Sequence, residues 1–197
     1  MSGRLGILNI TSRFKQTTSL SGSILLSHPS LQDPNFCKSI VFLSNHSESD
    51  GTLGVILNRP LGKKLYQLDE QFNHFSLGQA EVYNGGPVEC EKLIIAAWDW
   101  RESAESFRLH FGIDITKAEE LRKENKNIHI ACFLGHSGWS PGQLENELKV
   151  DSWVVSSLNL ELFNQMNTKA ECWKSAVSEV SDEMRLLANA PDNPWYN

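Results

Sequence analysis

The sequence lacks the features that settle function by themselves. Its four cysteines, Cys37, Cys90, Cys132 and Cys172, stand far apart. No C-x-x-C pair is therefore available for zinc, redox exchange or haem attachment. No stretch reaches the roughly 18 consecutive apolar residues that a membrane-spanning helix requires. The N-terminus lacks the apolar core of a secretory signal, because Arg4, Arg13 and Lys15 interrupt it. Positive charge is also short: 18 Lys and Arg stand against 24 Asp and Glu, for a net charge of −6. Nucleic-acid binders draw most of their affinity from cations that neutralise phosphates. The densest basic stretch, Arg122-Lys123-Glu124-Asn125-Lys126, follows Glu119 and Glu120 and reads as a solvated helix face. These absences set the expectation of a soluble, cytoplasmic protein with free thiols, without membrane or direct nucleic-acid partners.

What is present is ordinary globular material. Hydrophobic residues make up 40% of 197 and charged residues 21%. A chain of this length buries roughly 70% of its unfolded surface and needs no staple. We expect one domain over residues 21–197, preceded by a peripheral segment over 1–20. Short apolar runs bounded by Gly, Pro, Asn and Ser predict strands at Ser23–Ser27, Ser39–Leu43, Leu53–Leu57, Leu93–Trp98, Phe107–Phe111, Ile128–Leu134 and Trp153–Val155. Several runs are continuous rather than alternating, which predicts strands covered on both faces. Helical pattern comes later: Lys117–Lys126 behind a Thr116 cap with Glu119 completing a capping box, then Pro141–Leu148, Leu160–Gln165, and a region over Glu171–Ala188 with a break near Ser181-Asp182. Pro191 and Pro194 end it, leaving Trp195-Tyr196 at the terminus. Strands first and helices late indicate an α+β fold.

Three segments concentrate glycine and proline: Gly51–Pro60, Tyr83–Val88 and Phe133–Leu148. They carry, in order, G-x-x-G-x-x-x-N-R-P, G-G-P-V and G-W-x-P-G-Q-L-E-x-E-L. His28-Pro29, Asp33, Phe36 and His46 complete a pattern running from Gly22 to Trp173. In these motifs the chain resembles the YqgE/AlgH family. The resemblance implies a single domain with a bifurcated mixed β-sheet curled into a pseudo-barrel and helices packed outside. It implies no reaction, and some members carry the label of transcriptional regulator. Two places depart from the family pattern: His136 stands where an aromatic, commonly Tyr, is usual, and Ala97–Glu105 differs from the apolar-plus-His pattern expected after the second motif.

The chemistry of these segments admits several readings. Gly135-His136-Ser137-Gly138 invites comparison with a nucleophile elbow, but the glycine required two residues after the serine is Trp139. Ser140, Pro141 and Gln143 instead match an N-cap, N1 and N3 of a capping box. A phosphate loop lacks both glycine signatures that would support it. The six histidines show no metal-ligand spacing, and His46 beside Asp50 reads as a hydrogen-bonding pair. His129, between Ile128 and Ile130, projects from one sheet face. Cys132, Trp153 and Trp173 are expected in the core, and Trp139 and Trp195 are candidates for binding.

We therefore expect a non-enzymatic binding or regulatory protein, without catalytic residues, metal or cofactor. Its ligand, a small molecule or another protein, would meet a surface of Asn58, Arg59, Asn84, Gly85, Gly86, Gly135, His136, Ser137, Gly138 and Trp139. Arg59 would supply charge there, Asn58 and Asn84 amides, and Trp139 an apolar wall. A hydrolase of unknown substrate acting through the same region is the alternative, or an indirect or direct transcriptional regulator as the family label suggests.

Overall fold

The structure is a computed structural model that describes residues 19–100, 106–165 and 170–190. The expectations for residues 1–18, for Glu105 and its four predecessors, and for the 191–197 terminus with Trp195 lie outside the described residues. Among those described, the chain forms nine strands: β1 (Ser23–Ser27), β2 (Ile40–Ser47), β3 (Gly51–Ile56), β4 (Pro60–Lys64), β5 (Glu81–Asn84), β6 (Val88–Trp100), β7 (Phe107–Ile113), β8 (His129–Trp139) and β9 (Trp153–Ser157). Five α-helices follow the early strands: α1 (Ile115–Glu124), α2 (Gln143–Lys149), α3 (Leu160–Gln165), α4 (Ala170–Ser178) and α5 (Asp182–Asn189). Three 3-10 turns between β4 and β5 were not legible in the sequence.

The strands make one mixed sheet in the order β4-β5-β8-β3-β2-β1-β9, with β6 and β7 branching from β8. β8 is the fork. It runs antiparallel to β6 over His129–Leu134, parallel to β5 over Cys132–Leu134, and antiparallel to β3 over Ser137–Trp139. The bifurcation implied by the resemblance is present. Closure into a barrel is not: β4 and β9 end the path unpaired with each other, and β6 and β7 leave β8 as a separate wing.

Continuous apolar runs have the expected cause, since both faces of the central strands are covered. Ile24, Phe42, Val55, Trp98 and Phe133 point to one layer beneath Phe163 and Trp173. Their neighbours Leu25, Val41, Leu43 and Ile56 point to the other, under Leu144 of α2 with Trp139 and Trp153. A third cluster, with Leu65, Val82, Ile95 and Cys132, lies beneath Ala118 of α1. At about 1.5–3 kcal/mol for each fully buried large aliphatic or aromatic side chain, these layers are the principal source of stability. Cys132, Trp153 and Trp173 are buried as expected, and the Trp173 indole donates to the Ser27 carbonyl at 3.0 Å, pinning α4 to the end of β1.

Two helix starts differ from expectation. The α1 cap is Asp114, whose carboxylate accepts from the Lys117 amide at 2.8 Å, and not Thr116. β7 ends at Ile113, so the first residue free to turn is the aspartate. Glu119 does not reach back to complete a box; it accepts from the Ser76 hydroxyl and the Leu77 amide. Ser140 is not the cap of α2 either. β8 extends through Gly135–Trp139, and Pro141-Gly142 makes the turn, so Gly142 at φ 75° becomes the N-cap without a side-chain bond. Half of the expected box survives, because the Gln143 side chain accepts from the Ser140 amide at 3.0 Å. Helix α5 does begin where the break was expected, with Ser181 accepting from Met184 at 3.1 Å.

Candidate functional site

The three glycine-rich segments meet at the fork of the sheet. β5 and β3 take successive stretches of β8, so their chains must pass close to it and to each other. The Gly85 amide donates to the Leu134 carbonyl at 2.8 Å, and the Gly85 carbonyl accepts from the Ile56 amide at 2.9 Å and the Ser137 hydroxyl at 3.1 Å. The Asn84 amide donates to the Arg59 carbonyl at 2.8 Å, and the Asn84 side chain accepts from Gly86 at 3.0 Å. Backbone lies directly on backbone here. A Cβ on Gly85 would collide with the Gly135 carbonyl oxygen, and one on Gly135, at φ 72°, would stand 2.6 Å from the Gly86 oxygen. Only glycine satisfies both the approach and the left-handed backbone. Gly138 differs: it is exposed, and the nearest atoms to a Cβ there are 3.9 Å away.

The N-R-P motif clasps a neighbouring loop. Asn58 is buried; its side-chain oxygen accepts from the Ile40 amide at 2.9 Å and its NH2 donates to the Lys38 carbonyl at 2.9 Å. The Arg59 guanidinium donates to the carbonyls of Pro34 at 3.3 Å and Cys37 at 3.0 Å. Phe36, in that loop, stacks on Trp139 with centroids 6.0 Å apart and meets Trp153 edge-on at 5.5 Å. Arg59 and Trp139 are thus brought to the same loop, by different means. Trp139 is 5% exposed. Its indole N–H and that of Trp153 both donate to one oxygen of Glu147, at 2.9 and 2.7 Å, while the other oxygen accepts from Gln143 at 2.9 Å. The spacing W-x-P-G-Q-x-x-x-E is therefore a polar staple between β8 and α2.

The sequence did not reveal a second polar chain on the same sheet. His46 Nδ1 is 2.8 Å from the Thr52 hydroxyl, and its Nε2 is 3.5 Å from Glu145 of α2. Asp50, expected to pair with His46, accepts instead from Ser47 and Ser49. Only the β2–β3 hairpin and the placing of α2 bring these three side chains together. His136 is 3.7 Å from Glu89, which stands at φ 47° where β6 bulges over Glu89–Lys92. The Lys92 ammonium holds the Glu89 carboxyl below its ordinary range, with His136 adding to the effect. This bulge is exposed and carries Cys90, whose thiol lies 3.2 Å from the Pro87 carbonyl; Val88 beside it is 40% exposed. Burial raises two thiols in the core, Cys132 to about 12 and Cys172 to about 11. Among the described residues no group of three or more His, Cys, Asp or Glu is disposed to hold a metal ion.

Residues 24–185 match the family model DUF179, described as AlgH-like. The chain is 31% identical over 193 residues to a UPF0301 protein of Streptomyces avermitilis, covering 92% of this chain and 97% of that protein. It is 33% identical over 187 residues to a UPF0301 protein of Vibrio parahaemolyticus, covering 87% and 97%. The solution structure of the AlgH protein from Pseudomonas aeruginosa superposes with a TM-score of 0.62 at 22% identity, covering 90% of this chain and 97% of that one. The crystal structure of a Corynebacterium diphtheriae protein superposes with a TM-score of 0.67 at 18% identity, covering 91% and 96%. At these identities the structural likeness speaks for the fold.

Proposed function

The chain belongs to the AlgH-like family, and from that premise we propose a non-enzymatic binding or regulatory protein that docks another protein on the outer rim of the glycine junction. The observation that carries this reading is the division of labour at the fork. Asn58, Arg59, Asn84 and Ser137 have hydrogen bonds to main-chain groups, and Trp139 is buried, so these residues hold the backbone rigid. What faces outward is Gly138, Val88 and the bulge Glu89–Lys92, with His136 behind it. A pre-ordered rim with an apolar side chain and a bare glycine costs little entropy to cover. Lys92 is paired with Glu89 at 2.9 Å and Glu91 adds a further acid, so the same rim offers phosphates no excess positive charge, in line with the overall charge of −6. Regulation through this surface would act by protein contact and not by reading DNA.

One observation favours the hydrolase alternative: the Thr52–His46–Glu145 chain has the residue types of a nucleophile, base and acid. It ranks second because Thr52 is only 7% exposed and His46 9%, which leaves a substrate little access.

The test uses Val88→Asp and Gly138→Arg, two changes at exposed positions with room for the new side chain. Affinity capture from the cells of origin should retain a protein on the wild type and lose it at least about tenfold on both variants, with melting curves unchanged. Identical retention on all three would contradict the reading. Ester hydrolysis by the wild type that His46→Ala abolishes would promote the alternative.

A further inference from the structure

A second concave region lies at the opposite end of β8 from the junction rim. It opens between β5, the first residues of β8, the last turn of α1 and helix α3, and encloses about 440 Å³, within the range that holds small molecules. Lys64, at the end of β4, and Arg122, in α1, bring two cations to it, and Glu81 brings one carboxylate. That carboxylate is engaged: Lys64 stands 4.0 Å away and the Tyr83 hydroxyl hydrogen-bonds to it. Arg122 is exposed, and its guanidinium makes no hydrogen bond or ion pair with a described residue. Its apolar wall is Phe163, whose ring meets the His129 ring edge to face with centroids 5.0 Å apart.

We propose that this cleft binds a small molecule with a single oxyanion head, carboxylate or phosphate, on an apolar body. Arg122 is the group whose geometry matches such a head, because its planar fork offers two parallel donors. The uncharged polar groups suit the same ligand. Burial and the nearby Arg122 lower the His129 pKa, so the imidazole stays neutral at physiological pH and can both donate and accept. Burial and Glu81 raise Tyr83 to about 12, so its hydroxyl keeps its proton. A cation would meet Arg122 and Lys64 without a free counter-charge, and a purely apolar ligand would strand the guanidinium. The site is independent of the junction rim and stands or falls separately from the docking reading.

Titration of the full chain, ¹⁵N-labelled, with phenyl phosphate, benzoate, inorganic phosphate and benzyl alcohol tests the proposal. Phenyl phosphate or benzoate should shift the amides of Tyr83, Arg122 and His129 saturably, and the stronger of the two identifies the head group. Inorganic phosphate, lacking the body, should bind more weakly. Arg122→Gln should weaken the better probe by about tenfold or more, whereas Lys126→Gln, the same loss of charge outside the cleft, should change it less than about twofold. Saturation by neither anion below about 10 mM would overturn the proposal. So would equal losses from both substitutions, which would indicate diffuse electrostatics, or binding of benzyl alcohol as tight as that of the anions.

Discussion

At the scale of single residues, Gly135 and Gly138 lie in one strand and play different parts that composition cannot separate. Gly135 is enclosed and left-handed, so Gly135→Ala incurs a conformational cost of about 1–2 kcal/mol and a packing cost of about 1–3 kcal/mol against the Gly86 oxygen 2.6 Å from the new methyl. Gly138→Ala meets nothing closer than 3.9 Å and should stay within about 0.5 kcal/mol of the wild type. Urea unfolding of the two variants checks the contrast, and equal effects would contradict it. The sequence made it legible that three segments concentrate glycine and proline. It could not show which chain they approach, because Gly85 and Gly135 are distant in sequence and meet only through the fork. His46, Thr52 and Glu145 were missed for the same reason. Trp139 was legible as a candidate for binding, and its partner Glu147 stood in the same motif.

At the scale of elements, the strands with continuous apolar runs were legible and the polar ones were not. β4, with sequence PLGKK, has almost no hydrophobic signal and exists because β5 pairs with it. β8 was read as ending at Leu134, since glycine ordinarily punctuates a strand; Gly135 instead lets it turn through the fork and continue to Trp139. Helix starts were misplaced wherever two capping residues competed. At α1 the aspartate that follows β7 makes the bond, not the threonine two residues on. Asp114→Ala should therefore cost about 1 kcal/mol, and Thr116→Ala less than about 0.5 kcal/mol, both read from thermal or urea melts. The reverse order would restore the cap expected from sequence.

At the scale of the whole molecule, the α+β class could be drawn from the order of strand and helix patterns, the family from the ordered motifs, and the bifurcated sheet from the resemblance those motifs carry. The open edges of the sheet could not, because closure depends on which strands find each other. No helix among the described residues is long and apolar enough to cross a membrane. The glycine-rich segments form a rigid weld between β3, β5 and β8, and not a set of mobile loops. Amide hydrogen exchange of the native chain tests this most directly. The amides of Ile56, Asn84 and Gly85, which donate across the weld, should open only with global unfolding, within about 1 kcal/mol of the slowest amides of β2 and β8. Exchange of these three through a local opening several kcal/mol cheaper than global unfolding would contradict the claim, and with it the rigid rim on which the docking reading depends.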